Sequence, residues 1–272
     1  MLSQMLSRFN AITMEQKQQA LREVMQEIAL AGLYRGGFFE KAAFYGGTCL
    51  RIFYGLPRYS EDLDFSLLQE DTHFSLEPYF EAIKTEFAAL GVDVSISQKK
   101  KTASTAIESA FLKNDTQIVV LDFAGVSVKI KFEVDTQPPL GFATEEKLLV
   151  EPFSFYVKSF ALPDLYAGKM HALLFRQWKN RIKGRDWFDF EWYVRRGAPL
   201  NLAHFNQRAL QSGDLLQPVD ETGFVSLLGE RIASVDFDNA KQDAERFIAD
   251  ARILVIWSQD YFMALAQRVK FQ

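Results

Sequence analysis

Hydrophobic residues near the start of the chain recur at the three- and four-residue spacing of a helix. Thr13 and Gln16 have the spacing of a capping box, in which the two residues bond each other's backbone where a helix begins. The predicted buried face of this helix carries Leu21, Val24, Met25 and Ile28. A further helix is predicted over residues 77–90.

Alternation between apolar and polar residues predicts the strands. The segment 60–67 alternates strictly. Its polar face carries Asp62, Asp64 and Ser66. Two longer segments, 117–123 and 126–135, flank Ala124-Gly125 and predict an antiparallel hairpin with one solvated face. Shorter strands are predicted over 92–96 and 153–157.

After Pro152 helical spacing dominates, over residues 163–193 and again from about 219 to the end. This order of elements predicts an α+β fold. We expect residues 1–155 to form a mixed sheet flanked by helices, together with the first helix. Residues 156–272 are expected to form a helical domain packed against that core.

The composition is that of a folded, globular protein. Of the 272 residues, 48% are hydrophobic and 24% are charged, and the 25 phenylalanines predict a core dominated by aromatic packing. The single cysteine, Cys49, excludes an intrachain disulfide, and the three histidines lack the spacing of zinc ligands. No apolar run is long enough to cross a bilayer and the start does not resemble a signal peptide, so we expect a cytoplasmic protein without a membrane partner.

The net charge is −4, so the chain as a whole is not a polycation. A local basic stripe nevertheless lies between residues 176 and 185, with no acidic residue inside it. The stripe consists of Arg176, Lys179, Arg181, Lys183 and Arg185, with Trp178 inside it and Trp187 just beyond. Such a stripe could bind an RNA end through phosphate contacts and base stacking, or it could be a solvated helix face beside two core tryptophans.

Asp62 and Asp64 carry the clearest chemical signal. Two carboxylates at positions i and i+2 of a strand project from one face, and both stay ionised only when a cation lies between them. Mg²⁺ suits such a pair because it binds one or two carboxylates together with substrate phosphates. Taken alone, Asp-x-Asp is also typical of the solvated face of an edge strand.

The turn Gly46-Gly47-Thr48 precedes this pair and favours the metal interpretation. Glycines allow backbone N–H groups to approach a phosphate closely, and the beginning of the following helix favours anions. The Thr48 hydroxyl could donate to a phosphate oxygen. A phosphate loop together with a carboxylate pair predicts a site for a nucleotide and a metal ion.

Residues 44–65 combine Gly-Gly-Thr, a short helix and Arg-x-Ser-x-Asp-x-Asp-Phe. In order and spacing they closely resemble the signature of the AbiEii/AbiGii nucleotidyltransferase toxins, a family of the DNA polymerase β-like superfamily. The resemblance implies that a nucleoside monophosphate is transferred from an NTP with release of pyrophosphate, and that Asp62 and Asp64 are catalytic Mg²⁺ ligands. The residues that it places at the nucleotide are Gly46, Gly47, Thr48, Arg58 and Ser60.

The resemblance also implies a third metal-binding carboxylate on a neighbouring antiparallel strand. The polar face of the segment 126–135 offers Glu133 and Asp135. Glu133 is preferred because it follows the Lys-Ile-Lys-Phe run, although both residues could simply be solvated.

Two further catalytic residues follow from the resemblance. Lys169 matches a lysine in the helix after the sheet. In that position it could neutralise triphosphate charge in the transition state. Alternatively, its aliphatic stem covers apolar surface and it has no catalytic role. Asp186, in an Arg-Asp-x-x-Asp motif, resembles the family's catalytic-site aspartate and could hold Lys169 or orient the acceptor. Its alternative role is a helix N-cap. Asp189, one turn further, is expected to be structural.

Members of the resembled family act as toxins of type IV toxin–antitoxin or abortive-infection systems, and some modify the 3′ end of tRNA. We therefore expect tRNA as the acceptor and a cognate antitoxin as a partner. A small molecule or a protein hydroxyl is an alternative acceptor, and a non-catalytic nucleotide-binding protein is a further alternative.

Overall fold

The computed structural model of the protein describes residues 1–99, 116–123, 128–176 and 182–272. The predicted turn at Ala124-Gly125 and the middle of the basic stripe, with Trp178, Lys179 and Arg181, lie outside the described residues.

The predicted N-terminal helix begins at its capping box, and a short helix that the sequence does not predict precedes it. Helix α1 spans Leu2–Ser7 and α2 spans Met14–Arg35. The capping box is confirmed, because the Gln16 amide donates to the Thr13 side chain at 3.1 Å and the Thr13 amide donates to the Gln16 side chain at 3.1 Å. Of the predicted face, Val24, Met25 and Ile28 are buried and Leu21 is half-buried.

Seven strands of the described chain form one mixed sheet, in the order β3-β4-β5-β2-β1-β7-β6. Their bounds are β1 Ala42–Tyr45, β2 Leu63–Leu67, β3 Val94–Lys99, β4 Thr116–Phe123, β5 Lys129–Asp135, β6 Thr144–Leu149 and β7 Phe155–Phe160. The predicted hairpin is confirmed, since β4 and β5 pair antiparallel. Strand β6, at one edge of the sheet, was not predicted, because Thr-Glu-Glu-Lys-Leu-Leu is poor in β-branched and aromatic residues.

The remaining elements are mostly helical, and together with the sheet they confirm the α+β class. Their bounds are α3 Gly46–Tyr54, α4 Phe80–Ala89, α5 Leu162–Phe175, α6 Gly184–Arg196, α7 Leu202–Ser212, α8 Glu221–Ala233, α9 Phe237–Glu245 and α10 Gln259–Ala266. Short 3₁₀ turns occupy Phe38–Glu40, Glu77–Tyr79 and Ala251–Ile256, and two-residue strands, β8 Pro199–Leu200 and β9 Lys270–Phe271, pair in parallel. Within the described residues, no helix is both long enough and apolar enough to span a membrane.

The chain divides into two compact units whose segments alternate along the sequence. Unit 1 contains residues 1–53, 60–138 and 144–159, and unit 2 contains residues 54–59, 139–143 and 160–272. Each unit has an aromatic core, as the phenylalanine content predicts. In unit 1 the rings of Phe38 and Phe44 lie 4.9 Å and 5.2 Å from that of Phe65. In unit 2 the rings of Tyr166 and Tyr193 stack at 4.1 Å.

Candidate active site

The turn between β1 and α3 in unit 1 brings the helix backbone against an acidic side chain. Gly46 is the first residue of α3 and has a φ of +82°, a conformation that L side chains rarely adopt. A Cβ added to Gly46 would lie 2.3 Å from Oδ2 of Asp64. Position 46 therefore requires glycine both for its positive φ and for its closeness to Asp64. The Asp64 carboxylate lies beside the beginning of α3.

The strand that carries Asp64 is an interior strand. β2 pairs antiparallel with β1 and parallel with β5, so Asp64 lies between Tyr45 on one neighbour and Glu133 on the other. The strand is therefore not an edge strand, which the alternative interpretation of the pair requires. The strand predicted over 60–67 is shorter than expected, because β2 begins at Leu63 and Asp62 lies just before it. The polar face is also less solvated than its alternation predicts, because Ser66 is buried.

The next acidic residues lie on β5. Glu133 is in register with Asp64 and Asp135 with Ser66, so Glu133 is the nearer of the two to the aspartate pair. Asp135 accepts a hydrogen bond from the Gln137 amide at 3.1 Å, which gives it a local structural role. The expected direction of this strand needs a correction, since β5 runs parallel to β2 and antiparallel to β4.

Lys131 places a positive charge among these carboxylates. Its ammonium is paired with Glu133. Burial lowers the pKa of Lys131, but the hydrogen bond and charge of Glu133, followed by the charges of Asp62 and Asp64, outweigh this effect and raise the pKa. Lys131 therefore stays charged and offsets part of the repulsion between the acidic side chains.

The acidic side chains near Asp64 are the available oxygen ligands for a divalent cation. Among the described residues, no three histidine, cysteine, aspartate or glutamate side chains are grouped so that they could hold a metal ion. The carboxylate of Glu133 is instead paired with Lys131. Asp62 and Asp64 supply two carboxylates, and two carboxylates completed by substrate phosphates are a usual Mg²⁺ ligand set.

Thr48 has a different role from the one that its position predicts. Its side chain is buried, and its hydroxyl donates to the backbone carbonyl of Asp62. The hydroxyl proton is therefore used within the protein, and a hydrogen bond from it to a phosphate is not part of this arrangement. Thr48 instead connects α3 to the segment that carries the aspartates.

Unit 2 contains a second charged cluster, formed by Arg58, Asp189 and Lys169. The Nε and Nη2 atoms of Arg58 each lie 2.6 Å from a carboxylate oxygen of Asp189, and Nζ of Lys169 lies 2.7 Å from Oδ2 of the same residue. The side chain of Asp189 is fully buried, and that of Lys169 is 18% exposed. Burial raises the pKa of Asp189, but the two cations, Arg58 first, outweigh it and hold the pKa below its usual range.

This cluster corrects two expectations. Arg58 was expected at the nucleotide, but its side chain is only 2% exposed and its guanidinium is bound to Asp189. The resemblance leaves Asp186 to hold Lys169 or to orient the acceptor, and the contact with Lys169 is made by Asp189 instead. The expectation that Asp189 is structural agrees with its complete burial.

Asp186 lies in the first turn of α6, where a negative charge stabilises the helix. The N-cap of α6 is Lys183, so the alternative role of Asp186 as N-cap is wrong. Its carboxylate acts electrostatically on Arg58, Lys183 and Arg231, and each of these interactions raises the pKa of the cation.

The described part of the basic stripe is a spatial cluster. Burial and the neighbouring charges of Arg176, Arg185 and Lys169 lower the pKa of Lys183 to about 8, although Asp186 acts in the opposite direction. Arg176, Arg185 and Lys169 are therefore all close enough to Lys183 to act on its charge. Trp187 is only 2% exposed, with its ring 5.1 Å from those of Phe237 and Phe262. It is a core tryptophan and cannot stack on a base.

Sequence reasoning missed the contribution of two residues near the aspartate pair. Lys131 lies on the polar face of a predicted strand, two positions before Glu133, and that spacing was the signal that could have identified it. Gln26 lies in the buried part of α2 and donates to the backbone before β2. A glutamine beside the apolar positions of a helix was its only sequence signal.

Comparison with known families assigns the class of protein that this site defines. A family model described as "Nucleotidyl transferase AbiEii toxin, Type IV TA system" matches residues 28–267. The chain is therefore a nucleotidyltransferase. It belongs to the AbiEii family of toxins from type IV toxin–antitoxin systems, for which an antitoxin partner and an NTP substrate are implied. No match was found among curated proteins.

Two solved structures have a similar fold. MenT4, a nucleotidyltransferase toxin from Mycobacterium tuberculosis H37Rv, matches with a TM-score of 0.57 and 16% identity, over 97% of this chain and 94% of that chain. JHP933 from Helicobacter pylori matches with a TM-score of 0.52 and 18% identity, over 92% and 90% of the two chains. At these identities the likeness concerns the fold alone.

Proposed function

We propose that this protein transfers a nucleoside monophosphate from an NTP to the 3′ end of a tRNA, with Mg²⁺ held by Asp62 and Asp64. The observation that carries the proposal is the contact between the first residue of α3 and the Asp64 carboxylate. It brings a metal-binding group and the N–H groups of a helix N-terminus to one place, and a triphosphate requires both.

The residues of unit 1 would act mainly by binding and orientation. The backbone at Gly46 and Gly47 binds phosphate oxygens, because no side chain separates it from the substrate. Asp62 and Asp64 hold the cation, and the chemistry that Mg²⁺ supplies in such a site is activation of the attacking hydroxyl and stabilisation of the leaving pyrophosphate. Lys131 limits the repulsion between these carboxylates and the incoming phosphates.

The proposal also assigns roles to positively charged side chains of unit 2. Asp189 orients the ammonium of Lys169, which the family resemblance assigns to catalysis together with Asp186. Arg176, Lys183 and Arg185 supply a basic cluster that suits the phosphates of an RNA acceptor. NTPs and tRNA are both cytoplasmic, and we place the reaction there, with a cognate antitoxin that limits it.

The proposal is tested by incubating the purified chain with Mg²⁺, total tRNA and each of the four labelled NTPs in turn. We expect one or more NTPs to label tRNA, and we expect Asp64→Asn to abolish the labelling. Asp135→Asn is the matched control, because Asp135 lies on the same face of the sheet but is bonded to the Gln137 amide. This control should retain activity, whereas Glu133→Gln should reduce it.

The other outcomes have distinct meanings. Label that appears on a small molecule or on a protein, with none on tRNA, would show that the acceptor is wrong while the reaction class stands. Binding of an NTP without transfer to any acceptor would refute the enzymatic proposal itself.

A further inference from the structure

Gln26 is a buried polar residue on α2 that lies outside every motif of the family signature. Its side chain is 1% exposed, and its Nε2 atom donates to the carbonyls of Ser60 at 3.2 Å and Glu61 at 3.0 Å. The next carbonyl, that of Asp62, accepts from the hydroxyl of Thr48. Three consecutive carbonyls immediately before β2 are therefore held by two buried side chains.

The hydrogen bonds belong to a wider attachment of α2 to the same region. Arg22 and Glu23 lie one turn before Gln26 and therefore share its side of the helix. Arg22 is 3.9 Å from the carboxylate of Glu61, and Glu23 forms an ion pair with Arg51 of α3 at 2.9 Å. This side of α2 thus contacts both the segment before β2 and the helix after the glycine turn.

The segment 60–62 needs such support because it lies outside the strand ladder. Strand β2 begins at Leu63, so the backbone that carries Asp62 precedes the strand itself. Two carboxylates at neighbouring positions repel each other, and this repulsion favours any backbone movement that separates them. Hydrogen bonds to the three carbonyls oppose that movement.

We propose that Gln26 is a positioning residue, which together with Thr48 fixes the backbone before β2 so that the Asp62 and Asp64 carboxylates are set for a divalent cation. The inference rests on the proposed metal site and adds the part of the structure that preorganises it. A site fixed in this way binds its metal without first ordering a loop.

The test uses the full-length chain and measures metal affinity directly, by titration with Mn²⁺ in the absence of nucleotide. Gln26→Leu removes the donors and keeps the approximate size of the side chain, and we expect the affinity for Mn²⁺ to fall about tenfold, which corresponds to about 1.4 kcal/mol. Gln18→Leu is the matched control, because Gln18 is an exposed glutamine of the same helix. This control should bind Mn²⁺ like the wild type.

A second measurement separates positioning from a general loss of stability. For Gln26→Leu we expect nucleotidyl transfer to require a higher Mg²⁺ concentration for half-maximal rate, while the maximal rate at saturating Mg²⁺ recovers most of its wild-type value. Thr48→Val removes the other donor and should shift the Mg²⁺ requirement in the same direction, which keeps the test usable if Gln26→Leu does not fold.

The outcomes distinguish this inference from the proposed function. If the wild type binds Mn²⁺, Asp64→Asn does not, and folded Gln26→Leu and Thr48→Val bind it as tightly as the wild type, the inference is overturned and the metal site stands. If the wild type itself binds no Mn²⁺ and needs no divalent cation, both are overturned. A lower melting temperature with unchanged metal affinity would also overturn the positioning role.

Discussion

Replacing Arg58 with leucine should be among the most destabilising single changes in unit 2. In the wild type, three nitrogen–oxygen contacts of 2.6–2.7 Å hold the fully buried carboxylate of Asp189, two from Arg58 and one from Lys169. The substitution removes the two contacts from Arg58 and leaves the one from Lys169. Removal of one partner from a buried ion pair costs about 3–5 kcal/mol, because it leaves a buried charge poorly compensated.

This cost can be converted into a shift of the melting temperature. In proteins of about 150–250 residues, each kcal/mol lost from the free energy of unfolding lowers the melting temperature by about 2–4 °C. Arg58→Leu should therefore lower the melting temperature by roughly 6–20 °C at pH 7. Thermal unfolding followed by circular dichroism measures the shift. Arg195→Leu is the matched control, because the Arg195 side chain is 70% exposed and its pair with Glu191 is worth about 1 kcal/mol or less.

The pH dependence of this stability difference checks whether the loss arises from the charge of Asp189. The pKa of Asp189 is lowered in the folded protein, so its contribution to stability is complete above the unfolded-state pKa and is lost as the pH falls through the lower folded-state pKa. The difference between wild type and Arg58→Leu should therefore shrink below about pH 4.

The double variant Arg58→Leu/Asp189→Leu removes both buried charges, and Lys169 keeps contact with solvent through its partial exposure. We expect it to be more stable than Arg58→Leu alone, since apolar replacement of a whole buried pair is often neutral. A melting temperature of Arg58→Leu within about 2 °C of the wild type would refute the reasoning. A double variant no more stable than the single one would refute it as well.

Two further predictions concern packing and protonation. A Cβ on Gly184 would lie 1.9 Å from the carbonyl oxygen of Ala240, so Gly184→Ala should lower the free energy of unfolding in denaturant by about 1–3 kcal/mol. A Cβ on Gly229 would meet nothing closer than 3.6 Å, so Gly229→Ala should stabilise α8 by about 0.5–1 kcal/mol. Equal effects of the two substitutions would contradict the packing argument. Burial raises the pKa of Glu27 from 4.5 to about 7, so the folded state is favoured by protonation below pH 4.5 and loses this stability as the pH rises through 7. Glu27→Gln should therefore be more stable than the wild type at pH 8, by up to about 3 kcal/mol, and the same advantage at pH 4.5 would disprove the assignment.

Features encoded by neighbouring residues could be predicted from the sequence. The capping box at Thr13 and Gln16 depends on a three-residue spacing, and the strand that carries Asp64 depends on simple alternation. Local chemistry also predicts a close approach to the backbone at position 46, but the group that the structure places there is the Asp64 carboxylate, whereas the sequence predicts a phosphate.

Features that depend on distant contacts could not be predicted in the same way. Arg58 and Asp189 are 131 positions apart, and no local pattern shows that the arginine of the signature is bound to a carboxylate there. The same holds for Gln26, whose two acceptors lie 34 and 35 positions away. Trp187 was assigned to either RNA or the core, and only its packing against Phe262 decided between them.

The long separation between Arg58 and Asp189 has a consequence for synthesis of the protein. At about 5–20 residues per second, a ribosome needs roughly 7–26 s to extend the chain by 131 residues. Arg58 is therefore synthesised well before the carboxylate that it pairs with, and Asp189 is added when more than two thirds of the 272 residues have been made. A nascent or prematurely terminated chain that ends before residue 189 cannot form the cluster that holds Lys169, so translation of more than two thirds of the chain is a condition for assembling this part of a toxin.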